Sequence, residues 1–220
     1  VKRLVPEDLT DALAAAHAAT IGQHCVDGVY LTDDQLLGSP AAARSARQVV
    51  DGVLTYVKSG GQLTPVTWLE MSQSPVGRLA ADHAVAWRDQ PAGSFHRWDE
   101  LVEFCRGNLA SYWAALADSW TDALDSGEVG AGAVPGDVVI WTVLGPSRLV
   151  ATIETRRVIS KTEAGRFVAR RWPDYASLAE KCIRARAGSA ATWTVQDARD
   201  AVQVVRLNVE AGQLAGPAGG

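Results

Sequence analysis

The sequence has no apolar run of 18 residues, and no basic segment precedes an apolar stretch near its start. We therefore expect a cytoplasmic protein with neither a membrane span nor a signal peptide. Cysteine is scarce: the three residues lie far apart, and none has the paired spacing of a zinc or redox site. We expect Cys25, Cys105 and Cys182 to be buried, reduced thiols.

A strong charge of one sign is also lacking, since 21 basic and 25 acidic residues give a net charge of −4. This mildly acidic balance argues weakly against a nucleic-acid partner and is compatible with a cationic small ligand. Many cytoplasmic proteins have a similar balance, so charge alone does not identify a ligand. The four histidines have no spacing typical of a metal site or a catalytic triad.

The first part of the chain mixes helical and β-rich segments. Proline and acidic residues at 6–8 favour the start of a helix that we expect over Glu7–Ile21. The β-rich run Val26–Thr32 follows it, and a helix leading into such a run is typical of an α/β unit. Further short strands are predicted at Val53–Val57 and Thr64–Trp68, while residues 38–48 are predicted to be a loop or a weak helix.

From Trp98 onward the pattern becomes helical, because apolar residues recur at spacings of three and four. The apolar segment Val138–Ile153 contains Gly145-Pro146, which leaves open a kinked buried helix or a helix with a break. We therefore predict an α+β fold, with a partial α/β domain over residues 1–92, an all-helical bundle over residues 93–210 and a flexible tail over residues 211–220.

A capping box is present at Ser160-Lys161-Thr162-Glu163. The serine side chain can accept from the third backbone N–H of the helix, while the glutamate reaches back to the N–H of the serine. We therefore predict that a helix begins here, whatever the function of the protein.

These segments resemble the helical domain of aminoglycoside adenylyltransferases of the spectinomycin/streptomycin type. The resemblance rests on Trp141–Gly145, Arg148-Leu149 and Ser160–Gly165, whose order is an apolar helix with an arginine, a turn, and then Ser-Lys at the start of a helix. Weaker matches follow the same order along residues 26–188: Pro65–Trp68, Asn108-Leu109, Tyr112-Trp113 and Ile183–Arg186.

The resemblance implies a nucleotidyltransferase that moves AMP from ATP to a hydroxyl group of an aminoglycoside. In that family a Gly-Ser element and an Asp-x-Asp pair hold two magnesium ions with a third carboxylate, and a carboxylate takes the hydroxyl proton. This sequence contains no Asp-x-Asp. The register that fits best places Asp27 at the third carboxylate, as general base and metal ligand, with the missing elements expected upstream of Val1. An ordinary carboxylate at a strand edge is an equal alternative for Asp27.

On the nucleotide side, the resemblance assigns Ser160, Lys161 and Arg148. A helix N-terminus with a lysine suits a phosphate, although an exposed lysine beside an ordinary capping box is the alternative. Arg148 could reach the nucleotide or pair with an acidic group in the core.

On the substrate side, the resemblance assigns Trp68, Asp137 and Trp141. Aromatic rings suit a sugar or aminocyclitol face, and a carboxylate suits an ammonium group. The alternatives are core packing for the tryptophans, which we favour for Trp113 and Trp120, and a plain helix cap for Asp137.

Together these residues predict an enzyme that uses ATP and magnesium to modify an aminoglycoside-like small molecule, with no nucleic-acid or membrane partner. The alternative prediction is a non-catalytic or truncated homologue that acts as a small-molecule-binding module.

Overall fold

A computed structural model of the chain describes residues 28–30, 46–50, 53–56, 64–73, 77–79, 84–86, 98–127, 129 and 134–214. The chain divides into two compact units, Val1–His96 and Arg97–Gly220. The predicted helix over Glu7–Ile21 and the predicted site residue Asp27 lie outside the described residues.

The first unit contains short antiparallel strands. Strands β1 (Gly28–Tyr30), β2 (Arg47–Val50) and β3 (Val53–Tyr56) pair in that order, with Val29 opposite Gln48 and Val50 opposite Val53. Strands β4 (Gly77–Leu79) and β5 (Ala84–Ala86) form a separate antiparallel pair. The strand predicted at residues 53–57 is therefore confirmed as β3. The loop or weak helix predicted at residues 38–48 is wrong for its last two residues, which belong to β2.

The strand predicted over Thr64–Trp68 is also wrong, because α1 spans Pro65–Gln73. Thr64 caps this helix: its Oγ1 accepts from the N–H of Thr67 at 3.3 Å, and its own N–H donates to Oγ1 of Thr67 at 3.4 Å. Proline at the first helical position suits the same start, since its missing N–H would have no partner there. The local cap therefore outweighs the β propensity of Val66, Thr67 and Trp68.

The described residues of the second unit form a bundle of six helices. They are α2 (Trp98–Asn108), α3 (Ala114–Asp125), α4 (Gly136–Thr155), α5 (Lys161–Arg171), α6 (Ala176–Arg186) and α7 (Val195–Leu214). A π-helical turn at Leu109–Trp113 joins α2 to α3, and a 3₁₀ turn at Pro173–Tyr175 precedes α6. The predicted helical bundle is confirmed. The protein is mostly helical in its described part.

Helix α4 is the centre of the bundle and contacts α2, α5, α6 and α7. It continues through Pro146 as one helix, which resolves the alternative of a break. Its fully buried face includes Val139, Val143 and Val150. By length and composition alone α4 could cross a membrane, but just over half of its most apolar window is buried inside the protein. A core helix passes the same test, so packing in the bundle accounts for its apolar sequence.

The last helix ends later than predicted. The tail was predicted to begin at residue 211, whereas α7 continues to Leu214 with Ala211 and Gly212 buried. Gly212 allows this close packing, since a Cβ there would lie 2.5 Å from Leu109 Cδ1.

Two of the three cysteines lie in the bundle, and both are buried free thiols, as predicted. Burial raises the pKa of Cys105 and that of Cys182 to about 12. Both side chains are therefore protonated at neutral pH and act as apolar core groups rather than nucleophiles.

Candidate functional site

The start of α5 has the capping box that the sequence predicts. Ser160 Oγ accepts from the N–H of Glu163 at 3.1 Å, and Glu163 Oε2 accepts from the N–H of Ser160 at 2.8 Å. The N–H groups of Lys161 and Thr162 in this first turn have no acceptor among the described residues. Because such N–H groups carry partial positive charge, the start of α5 favours a negatively charged ligand.

Arg148 connects α4 to this helix start. Its Nε donates to the carbonyl oxygen of Ile159 at 2.7 Å, directly before the capping residue Ser160. The arginine is half-buried in the middle of α4. The bond fixes the connection between α4 and α5, and it brings a guanidinium charge to the first turn of α5.

Lys161 is the first residue of α5 and is half-buried. Burial lowers the pKa of its ammonium group below the ordinary value, and the positive charges of Arg186 and Arg148 lower it further. No carboxylate lies within ion-pair distance of Lys161 or Arg186 in the described part of the chain. We call Arg148, Lys161 and Arg186 the cationic cluster.

The structure therefore brings together the three predicted nucleotide-side residues, Ser160, Lys161 and Arg148. It adds Arg186, from the last turn of α6, for which the sequence analysis assigned no role. The segment Ile183–Arg186 was part of the resemblance, but its charge could not be placed without knowing how α6 packs on α5. Three cations beside a helix N-terminus form an arrangement that suits an oxyanion such as a phosphate.

The predicted substrate residues on α4 lie near the start of that helix, before Arg148. Asp137 is exposed in the first turn, and Trp141 is one turn further along. Pro135 occupies the capping position before α4 and no side-chain cap is formed, so Asp137 is not the helix cap considered as its alternative. The carboxylate of Asp137 is therefore available to a ligand from the solvent side.

Trp141 belongs to an aromatic cluster with Tyr112 and Trp113. Its ring centroid is 4.7 Å from that of Trp113 and 5.9 Å from that of Tyr112. Trp113 is buried, which confirms its predicted core position, whereas Tyr112 is 48% exposed. The sequence analysis missed Tyr112 as a site residue, although the π-helical turn that presents it is a feature often found at functional sites.

The predicted residues of α4 share one face of the helix. Asp137, Trp141 and Arg148 are separated by four and seven residues, which are spacings of one and two helical turns. From Asp137 to Arg148 the helix rises about 16 Å, at about 1.5 Å per residue. One face of α4 thus carries Asp137 and Trp141 near its start and Arg148 of the cationic cluster two turns after Trp141.

Two further predicted residues belong to the first unit. Trp68 is buried in α1, and its indole N–H has no hydrogen-bond acceptor among the described residues. Asp27, predicted as the general base and metal ligand, lies outside them. No group of three or more histidine, cysteine, aspartate or glutamate side chains that could hold a metal ion occurs in the described ranges.

Comparisons of the chain with known protein families, with curated protein sequences and with solved structures found no match.

Proposed function

We propose that the helical unit binds the phosphates of ATP at the cationic cluster, as part of a nucleotidyltransferase-type protein that acts on a hydroxyl group of an aminoglycoside-like molecule. The observation that carries the proposal is the convergence of Arg148, Lys161 and Arg186 at the N-terminus of α5. The sequence resemblance supplies the choice of ATP among phosphate-bearing ligands.

The charge of the cluster supports a ligand role over a purely structural one. Burial lowers the pKa of the half-buried Lys161, and the charges of Arg186 and Arg148 lower it further, so the charged lysine is less favourable in the folded protein than in water. A triphosphate would offset the repulsion and could accept from the free N–H groups of the first turn of α5.

The first two turns of α4 support the choice of a cationic, sugar-like substrate. Asp137 offers an exposed carboxylate for an ammonium group, and Trp141, whose ring contacts Tyr112, lies one turn further along α4. Aromatic faces suit both sugar rings and cations. The cationic cluster therefore suits the phosphates of the nucleotide donor, and the carboxylate of Asp137 suits a cationic acceptor.

The metal site implied by the resemblance does not fit the residues present. The sequence has no Asp-x-Asp, and the described residues contain no cluster of metal ligands. If Asp27 is a ligand, it is one of the three carboxylates that such a site needs. We therefore assign no catalytic step to magnesium in this chain. The same observation favours the second candidate function, a module that binds small molecules without transferring a nucleotide.

Isothermal titration calorimetry with the full chain tests the proposal. Mg-ATP should bind at one site, adenosine should bind much more weakly because it lacks phosphates, and streptomycin or spectinomycin should bind whether or not ATP is present. Binding of Mg-ATP no tighter than that of adenosine would show that the cluster does not recognise phosphate. If ATP bound but neither antibiotic did, the proposed nucleotide site would stand and the proposed substrate would be wrong.

A further inference from the structure

A pocket lies between the C-terminal half of α4 and α5. Its volume is about 280 Å³, with Ala151, Ile159 and Phe167 as apolar lining residues and Arg157, Arg166 and Arg170 as basic ones. We call it the arginine pocket. The described residues that line this pocket include no member of the cationic cluster, so the two sites are separate.

The arginines of this pocket are only partly neutralised. Glu163 also lines it, and its Oε1 lies 3.1 Å from Nη2 of Arg157. That carboxylate is already used twice, because its other oxygen completes the capping box of α5. Arg166 and Arg170 have no carboxylate partner in the described part of the chain. The pocket therefore keeps two guanidinium groups available.

The geometry of α5 directs these two groups to one ligand. Arg166 and Arg170 are four residues apart, so their side chains emerge from the same side of the helix, one turn from each other. Arg171, the adjacent arginine, is engaged elsewhere: Nη1 lies 3.0 Å from Glu154 Oε1, and the guanidinium packs over Phe167 and Trp172. This contact and the edge-on packing of Trp172, with ring centroids 6.0 Å apart, hold the Phe167 ring in place.

We propose that the arginine pocket binds a small aromatic oxyanion, with its phosphate or carboxylate group held by Arg166 and Arg170 and its ring against Phe167. Forked guanidinium groups match the oxygens of either anion. The pocket volume lies just below the range of about 300–1,000 Å³ typical of ligand sites, which suits one ring with its charged group rather than a nucleotide. The inference is independent of the proposed nucleotide site.

Calorimetry with phenyl phosphate, phenol and inorganic phosphate tests the inference on the full chain. Phenyl phosphate should bind with a Kd below about 1 mM at a site that requires Arg166 and Arg170, and each of the two fragments should bind there more weakly, because each makes only half of the contacts. Benzoate in place of phenyl phosphate then distinguishes a carboxylate from a phosphate preference. Failure of phenyl phosphate to saturate by about 10 mM would overturn the inference.

Matched variants locate the site. Arg166→Gln and Arg170→Gln should each weaken phenyl phosphate binding at least about tenfold, the scale of a lost charge-assisted hydrogen bond. Arg184→Gln removes a likewise exposed arginine from α6 and should leave the Kd unchanged, while Lys161→Met tests the cationic cluster separately. An equal loss in Arg184→Gln would reveal nonspecific charge attraction and overturn the inference. A loss only in Lys161→Met would place the ligand in the cationic cluster, which overturns the arginine pocket and leaves the proposed function intact.

Discussion

The ring of Trp113 lies against the backbone of Gly145, so closely that a Cβ on Gly145 would be 2.5 Å from Cη2 of the tryptophan. This contact holds the π-helical turn on α4 and sets the position of the aromatic cluster. Gly145→Ala should therefore destabilise the protein by about 1–3 kcal/mol, the usual cost of overpacking a core. Urea unfolding, followed by circular dichroism, measures the change.

Gly107→Ala is the matched control for that substitution. Gly107 is an exposed residue inside α2, and nothing would lie within 4 Å of its Cβ. Alanine should stabilise a helix interior there by about 0.5–1 kcal/mol relative to glycine. If both variants were stabilised alike, Trp113 would be free to move away and would not fix the geometry of the cluster.

Nucleotide transfer should be absent from this chain. The sequence lacks the Asp-x-Asp pair that, together with a third carboxylate, holds two magnesium ions in the family that the chain resembles. Incubation with radiolabelled Mg-ATP and streptomycin or spectinomycin should give no labelled antibiotic above a blank without protein. Labelled product from the purified chain would show that another set of carboxylates serves the metal, and would favour the enzyme over the binding module.

The helical unit was predictable because its signals are local. Spacings of three and four predicted α2 and α3, and the Ser160–Glu163 box predicted the start of α5. Helix α1 was missed although Thr64-Pro65 is a helix-start signal, since the β-rich composition of the next residues was given more weight. The pair Asp51-Gly52 between β2 and β3 is a comparable missed signal, because this dipeptide favours a short hairpin connection.

The candidate sites depended on tertiary packing and were predictable only in part. Ser160 and Lys161 share a local motif, but the approach of Arg186 follows from the packing of α6 on α5. Tyr112 reaches Trp141 because a π-helical turn shifts its direction relative to a regular helix. The arginine pocket requires α4 and α5 side by side, which no spacing in the sequence reveals.

Acid should destabilise the start of α7 through Asp197. Its Oδ2 accepts from Lys181 Nζ at 2.7 Å and from the N–H of Thr194 at 2.7 Å. Burial alone would raise the pKa of Asp197, but these hydrogen bonds outweigh it and hold the pKa below its ordinary value. The folded carboxylate thus stabilises the protein above the unfolded pKa of about 3.9, and this contribution is lost as the pH falls through the lowered folded pKa.

Asp197→Asn should accordingly lower the free energy of unfolding at pH 7 by about 1–2 kcal/mol, the scale of charge-assisted hydrogen bonds. The difference from the unsubstituted chain should shrink below a pH of about 4, where the carboxylate protonates. Asp174→Asn, at an exposed position, is the control and should change the stability little at any pH. A difference that stayed constant down to acid pH would mean that Asp197 acts through its shape rather than its charge.

Lys161→Met should separate the ligand role of the cationic cluster from a structural one, because the two roles predict opposite changes in stability. The pKa of Lys161 is lowered in the folded protein, so its charge is less favourable there than in the unfolded chain. That penalty is present at pH values below the lowered folded pKa, and it is relieved as the pH rises through that pKa. Methionine keeps the apolar stem and removes the charge, so the melting temperature of the ligand-free protein should rise at pH 7.

The same substitution should weaken Mg-ATP binding by about 1–3 kcal/mol, since one charged hydrogen bond to a phosphate is lost. Antibiotic binding measured without ATP should stay nearly unchanged, because a cationic ligand gains nothing from a lysine. Arg184→Gln, on the same bundle but outside the cluster, should alter neither quantity. If Lys161→Met made the protein more stable and its ATP binding weaker, Lys161 would serve ligand binding and lower the stability of the fold. If Lys161→Met instead lowered the melting temperature and left the ATP affinity intact, the lysine would be part of the fold and the phosphate site would have to lie elsewhere.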